Sequence, residues 1–404
     1  MNSVATRPLY VIGLMSGTSA DGIDAALCAI QGAPGSLKVE MLAAQSTSYT
    51  RDFQRHIHEQ GNHEKSRIDA LTRLHFELGE RFAQAVHDLL KQAGRSPQQV
   101  DLIGLHGQTV WHEVTAEGKV LGSLQIGEAA VVTERTGITT ISNFRSRDIA
   151  AGGQGAPLTA YIDWLLLRHP THWRAIQNIG GISNVTLLPP LNQPNILPIA
   201  FDTGPGNALL DESMRILTDG SAAFDQDGQM ARRGRMDEGW LGDLMEHPYY
   251  RRRGPKSTGR ELFGPQMAAA LIAEGRSRQL SDPDILSTIT ALTAASIAEA
   301  YQATAPVMPA EVIIGGGGGR NPVLMAYLQS FLPGAEVKTH EAIGMDSDNK
   351  EALVFAVLAY ESWFQRPAVL PSLTGAPHPS ILGDITPGMN YLPLLKDTLC
   401  AAMP

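Results

Sequence analysis

Apolar positions along the chain alternate between strand-like runs and helix-like spacings, and the pattern restarts midway. Leu9–Met15 and Ile23–Ile30 are short apolar runs separated by the polar turn Ser16–Gly22, which predicts a hairpin; Lys38–Tyr49 reads as a third strand. Ile68, Leu71, Leu74, Leu78, Phe82, Val86 and Leu89 then recur at three- and four-residue spacings, predicting a long amphipathic helix ended by Gly94. Val100–Leu105 is a continuous, buried-type strand, followed by a helix at about 128–136 and a strand at 138–144. The second half opens with a helix at about 158–168 and the strand Arg174–Ile179, with Asn184–Leu188 as its hairpin partner across Gly180 and Gly181. A Pro- and Asn-rich loop, Pro189–Pro194, leads to a strand at Ile196–Phe201 that ends at Asp202. Mostly helical sequence follows until the short strand Glu311–Ile314, which runs into Gly315–Gly319; helices are predicted at Pro322–Phe331 and Asn349–Phe364. The Pro- and Gly-rich tail Pro367–Pro393 has little period and is expected to pack back over a lobe.

This order predicts an α/β protein of two similarly built lobes around an interlobe cleft, a favoured place for a small-molecule site. The expected limits are residues 1–155 for the first lobe, with 366–404 returning to it, and 156–365 for the second. A length of 404 residues fits two or three domains. Lys and Arg number 32 against 41 Asp and Glu, so the chain is acidic, which argues against broad nucleic-acid binding. Cys28 and Cys400 are too few for a disulfide framework or a four-cysteine zinc site. No run of eighteen apolar residues occurs, so no membrane span is expected, and the chain reads as cytoplasmic.

Several motifs are absent: the P-loop, H-E-x-x-H and G-x-S-x-G. The segment Gly13–Asp24 is the most informative, with three glycines, three hydroxyl residues and two aspartates in a hairpin turn that two residues could close. Backbone N–H groups exposed by glycine, with Ser and Thr hydroxyls, make a cradle for phosphate oxygens, and Asp21 and Asp24 could hold Mg²⁺. Asn178–Asn184 opens the second half with a similar glycine–hydroxyl turn. Phe201–Asn207 places Asp202 at a strand end, a favoured position for a general base; Asn207 fits a helix cap for 208–217, which leaves Asp202 free for chemistry. Gly315–Gly319 requires close backbone approach, either to adenosine or phosphate or to the chain's own helix and sheet. Arg145 can pair bidentately with a carboxylate and is followed by the glycine-rich stretch Gly152–Pro157. Lys256–Glu261 is another dense polar cluster, for which a solvated loop is a serious competing reading. Glu351 is either a favourable helix-end charge or a cleft ligand.

Taken together, the glycine-rich turns opening both halves resemble the actin, Hsp70 and sugar-kinase superfamily. More sharply, Gly13–Asp24, His106–Thr109, Phe144–Pro157, Asn178–Asn184, Phe201–Asn207, Ser257–Phe263, Gly315–Asn321 and Lys350–Ala352 resemble, in order, the anhydro-N-acetylmuramic acid kinase family. The resemblance implies two RNase H-like lobes and an ATP- and Mg²⁺-dependent kinase of peptidoglycan recycling and amino-sugar catabolism. It would phosphorylate 1,6-anhydro-N-acetylmuramic acid while opening the anhydro ring, giving N-acetylmuramic acid 6-phosphate and ADP. Asp202 would be the catalytic base. Gly17, Thr18, Ser19, Ala20, Asp21, Gly22, Ile23 and Asp24 would bind ATP, as would Gly180, Gly181, Gly204, Gly206, Asn207, Gly315, Gly316 and Gly317. Arg145, Asp148, Gln154 and Glu351 would bind the sugar. Where many superfamily members carry an aspartate on the first strand, this chain has Gly13-Leu14-Met15, so the resemblance names no Mg²⁺ ligands. A sugar and ATP are the implied partners, with no nucleic acid or membrane, and a homodimer is compatible with the reading. Another sugar kinase, or a non-catalytic ATP-binding regulator, are the competing classes.

Overall fold

The computed structural model describes residues 7–115, 118–254, 256–343 and 350–398. The predicted N-terminal hairpin forms as β1 (Leu9–Ser16) and β2 (Gly22–Gln31), antiparallel with Met15 opposite Asp24, and β3 (Lys38–Ser48) continues the meander. The strand expected at Val100–Leu105 is longer than its apolar half: β4 spans Leu102–Val114 and pairs with β5 (Val120–Ile126). The polar stretch of β4 and the Gly- and Ser-containing β5 carry little strand signal of their own, so pairing rather than propensity sets them. β6 is Thr140–Ser142, and β4 runs parallel to both β1 and β6.

Alternation along β1 divides the core between two faces of the sheet. Ile12 and Leu14 pack with Leu74, Leu78, Phe82, Val86 and Leu89 of the predicted helix, observed as Ile68–Gln92. Val11 and Met15 join Ala26 and Cys28 in a second core with the helix Lys350–Trp363, every residue of which from Ala352 onward is buried. At Gly13 and Gly104, paired across β1 and β4, that helix meets the sheet backbone to backbone. A Cβ at Gly13 would stand 1.8 Å from the Ala352 carbonyl oxygen, and one at Gly104 2.1 Å from that of Phe355.

The second unit has β7 (Arg174–Ile179), β8 (Ile182–Leu188), β9 (Ile199–Pro205), β10 (Glu311–Gly315) and β11 (Glu336–Thr339). Its sheet order is β11-β10-β7-β8-β9, the same third-second-first-fourth-fifth arrangement as β3-β2-β1-β4-β6, with the second strand of each antiparallel to its neighbours. Both units therefore have RNase H-like topology. The helix Pro322–Phe331 falls where its spacing predicts, and the helix Asp282–Thr304 runs buried for most of its length. The short β11 and the helix Arg51–Gln60 are not foreseen: the first alternates charged residues, and the second buries only Phe53 and Ile57 among its apolar side chains.

The tail from 367 onward adds β12 (Asp384–Thr386), antiparallel to β6, and the helix Tyr391–Thr398. Contacts divide the chain into Met1–Leu166 with Asp348–Pro404, and Leu167–Ser347. These limits differ from 155 and 365 because the helices Thr159–Leu166 and Lys350–Trp363 pack together, the latter also on β1, β2 and β4. The helix was expected from Asn349; that residue and Cys400 lie outside the described residues. Among the described residues, no helix is long and apolar enough to cross a membrane.

Candidate active site

The first unit carries the Ser16–Asp24 turn, pinned from below. The Ser16 hydroxyl lies 2.7 Å from the Gly22 carbonyl and 2.6 Å from Gln108 Oε1, two acceptors for its single proton, while Gln108 Nε2 donates to the Gly17 carbonyl (2.8 Å). Gln108 is wholly buried, so these bonds are shielded from water and hold the turn firmly. Ala20 sits at φ +50° with its N–H donating to the Gly17 carbonyl, which closes a tight bend. The bend leaves Thr18, Ser19 and Asp21 exposed and Gly17, Gly22 and Asp24 half-exposed. Ala20 and Ile23 are buried in the core, backbone as well as side chain, so among the residues expected to bind ATP these two shape the turn and present no exposed atom to a ligand.

Arg145, at the start of the helix Ser146–Ala150, is oriented by two acceptors. Its Nε and Nη2 donate to His106 Nε2 at 3.2 and 3.0 Å, and its Nη1 donates to the Gly155 carbonyl at 2.7 Å. Asp148, expected to bind the sugar, is fully buried: one oxygen accepts from the Gly155 N–H (2.7 Å), the other from the Thr374 hydroxyl (2.8 Å). It therefore shapes the loop that supports Arg145, and a Cβ at Gly153 would collide with its Oδ2 at 2.3 Å. Asp148→Ala is expected to lower stability by about 2 kcal/mol, the cost of two stranded donors. Thr374→Val should cost about half as much; urea denaturation of both variants checks the pair. Gln154 is exposed beside this loop, its N–H donating to the Thr374 carbonyl.

Glu351 opens the helix Lys350–Trp363, on the turn held against Gly13. Protein atoms around its carboxylate raise its pKa, Asp24 and more weakly Asp21 add to the rise, and Arg145 and Lys350 oppose it. Glu351 thus lies within electrostatic range of Asp24, Asp21 and Arg145.

In the second unit, Gly180, Gly181, Gly206, Asn207, Gly316 and Gly317 come together around the β7–β8 turn. The Asn207 N–H donates to the Gly180 carbonyl (2.7 Å), and its Nδ2 donates to that of Ile179 (3.1 Å). Asn207 is therefore not the predicted cap: it is the first residue of the helix Asn207–Leu217, and Gly206 precedes it without a side-chain cap. Its side chain ties the helix start to the neighbouring turn. A Cβ at Gly206 would lie 2.4 Å from the Gly180 oxygen, and one at Gly316, at φ +77°, 2.7 Å from the Ile179 oxygen. Gly316 and Gly317 are exposed. Gly204 and Gly315 are buried instead, their Cα positions facing Ser296 and His340.

Asp202 lies within β9, opposite Asn184, and not at a strand end: the strand continues to Pro205. Its Oδ2 accepts from the Thr258 N–H at 2.9 Å, and among the described residues its Oδ1 has no protein donor. Burial raises its pKa, the Thr258 N–H works against the rise, and Glu261 adds to it. The Tyr249 hydroxyl donates to the Asp202 carbonyl (2.8 Å) and the Asp202 N–H to the Lys256 carbonyl (2.9 Å). Lys256–Glu261 is accordingly a loop anchored on Asp202, with Lys256 buried over the Tyr249 ring at 4.4 Å while Ser257, Arg260 and Glu261 are exposed. Arg260 brings its guanidinium to Gly181, with Nη2 3.2 Å from where a Cβ would stand. Tyr249 escapes a sequence reading, and the singled-out 256–263 stretch does not reveal what Thr258 and Arg260 do, because these roles run through backbone groups and distant turns.

The chain is similar to known proteins over nearly its whole length. The profile of the anhydro-N-acetylmuramic acid kinase family matches residues 9–388. The anhydro-N-acetylmuramic acid kinase of Caldanaerobacter subterraneus subsp. tengcongensis is 44% identical over 93% of this chain and 96% of its own. Those of Acaryochloris marina and Bacillus cereus are each 43% identical, over 93% and 94% of this chain and 99% of their own lengths. The chain belongs to the anhydro-N-acetylmuramic acid kinase family and is an ATP-using phosphotransferase.

Proposed function

We propose that this protein transfers the γ-phosphoryl group of ATP to 1,6-anhydro-N-acetylmuramic acid and opens the anhydro ring in the same event. The products are N-acetylmuramic acid 6-phosphate and ADP, and the setting is cytoplasmic recovery of peptidoglycan sugars. The observation that carries the reading is Asp202, a half-buried carboxylate with one oxygen secured by Thr258 and the other unencumbered by protein donors. Asp202 takes a proton from a water whose oxygen bonds to the anomeric carbon. The C1–O6 bridge breaks, and O6 bonds to the γ-phosphorus as the bond to the departing ADP oxygen breaks. One oxygen is both leaving group and phosphate acceptor, so positioning accounts for much of the rate.

Arg145 receives the lactyl carboxylate and Glu351 the sugar hydroxyl groups. The Ser16–Asp24 turn of the first unit and the glycine turns around Ile179 of the second each offer backbone N–H groups to phosphate oxygens of ATP. Asp21 is exposed and Asp24 half-exposed, so their carboxylate oxygens, of the kind Mg²⁺ takes, are accessible to it, and these two residues would hold it. When bound, it supplies neutralisation of phosphate charge.

Incubation with Mg-ATP and the anhydro sugar in ¹⁸O-labelled water, followed by mass spectrometry, tests the reading. A phosphorylated sugar with one ¹⁸O at the anomeric carbon is expected. An unlabelled phosphorylated sugar would leave a kinase but remove the water-activating role of Asp202.

A further inference from the structure

Arg145 is gripped by a side chain whose chemistry is particular. His106 is buried within β4, its ring centroid 4.6 Å from that of Phe355, which lies one helical turn beyond Glu351. His106 Nδ1 is 2.9 Å from the Gly107 carbonyl oxygen, so Nδ1 carries the proton and donates. Nε2 faces two guanidinium N–H groups, at 3.2 and 3.0 Å, and can only accept. With Nδ1 at the Gly107 carbonyl and Nε2 facing two donors, the imidazole is neutral and protonated on Nδ1, the Ser16 backbone also contacting the ring. Burial and the Arg145 charge hold its pKa down at about 3, so the neutral form persists across the working pH range.

With Nη1 also bonded to the Gly155 carbonyl, the guanidinium is fixed on two sides. One N–H remains on each of Nη1 and Nη2 without a protein acceptor among the described residues. A carboxylate in the place of His106 would orient the guanidinium equally well, but it would satisfy the positive charge and reduce its attraction for a second anion. We infer that His106 is a positioning residue for substrate choice: a neutral acceptor that aims Arg145 at a carboxylate-bearing sugar without adding a second fixed carboxylate to Glu351, whose charge already acts on the guanidinium. This rests on the assignment of Arg145 to the lactyl carboxylate.

The test compares two sugars, 1,6-anhydro-N-acetylmuramic acid and 1,6-anhydro-N-acetylglucosamine, which lacks the lactyl group. Dissociation constants of both are measured by calorimetry on wild type and on four variants. His106→Gln keeps a neutral acceptor and should retain the preference for the acidic sugar. His106→Glu, nearly isosteric with it, supplies a charged acceptor and should reduce that preference about tenfold, the worth of a charge-assisted bond. His106→Phe supplies no acceptor and should lose a similar factor. Binding of the uncharged sugar should change little in any of them, which a merely structural role would not produce. The Gln and Glu variants decide the matter even where Phe folds poorly.

Equal preferences in the Gln and Glu variants would overturn the inference. Arg145→Ala, run alongside, should abolish the preference. If Arg145→Ala keeps it, the carboxylate assignment itself is at fault. If Arg145→Ala loses it while His106→Glu does not, only the role of His106 is.

Discussion

Asp202→Asn should reduce turnover by roughly 10²–10⁴-fold, the usual contribution of a positioned general base, while ATP affinity stays within about twofold. Asn is isosteric and its Oδ1 can still accept from the Thr258 N–H, so the 256–261 segment keeps its place. What is lost is the capacity to take a proton. Steady-state rates beside ATP titrations separate the two effects; persistent turnover would show that another group is the base. The pH profile carries a second signature. Because burial raises the Asp202 pKa, the acid limb of kcat/KM should fall at a higher pH than an ordinary aspartate would give. The sign for stability is opposite. A carboxylate whose folded pKa is raised favours the fold below its unfolded pKa, and that contribution is lost as pH rises through the folded value. At neutral pH Asp202→Asn should therefore be at least as stable as wild type, trading activity for stability as active-site replacements often do.

Gly13→Ala should be the most damaging single methyl group in the first unit, costing about 3 kcal/mol, the upper range for overpacking. The added carbon would meet the Ala352 carbonyl oxygen, backbone that no rotamer change can move aside. Gly104→Ala, on the neighbouring strand and facing the Phe355 carbonyl, should behave alike. Gly122→Ala is the control: nothing lies within 4 Å of its Cβ position, and its effect should stay within about 0.5 kcal/mol. Urea titration gives all three values. The damage should also reach function. Glu351 precedes Ala352 on the displaced helix, so whatever fraction of Gly13→Ala folds should show weakened sugar affinity. A variant of wild-type stability would mean that the helix does not approach β1 so closely.

The local physics of the chain determines its strands and helices wherever one face is apolar. The hairpin β1–β2, the helix Ile68–Gln92, β7 and the helix Pro322–Phe331 are legible because period-two and period-3.6 patterns write burial directly into the sequence. The glycine- and hydroxyl-rich turn at 13–24 and the Asp202 segment are legible for a different reason: their composition is extravagant for plain turns. Elements that owe their existence to a partner are not legible in this way. β5 and β11 are strands because β4 and β10 offer them edges, and the polar half of β4 is held by β5. The same limit governs the site. Asn207 has the composition of a cap, yet Gly180 and Ile179 engage it. Asp148 has the composition of a ligand, yet Gly155 and Thr374, the latter 226 residues away, consume both oxygens. His106 stands in a segment that the resemblance picks out, yet its part is invisible until its Nε2 is found against Arg145. A side chain's role depends on which donors and acceptors remain to it once the backbone has closed, and that accounting exists only in three dimensions.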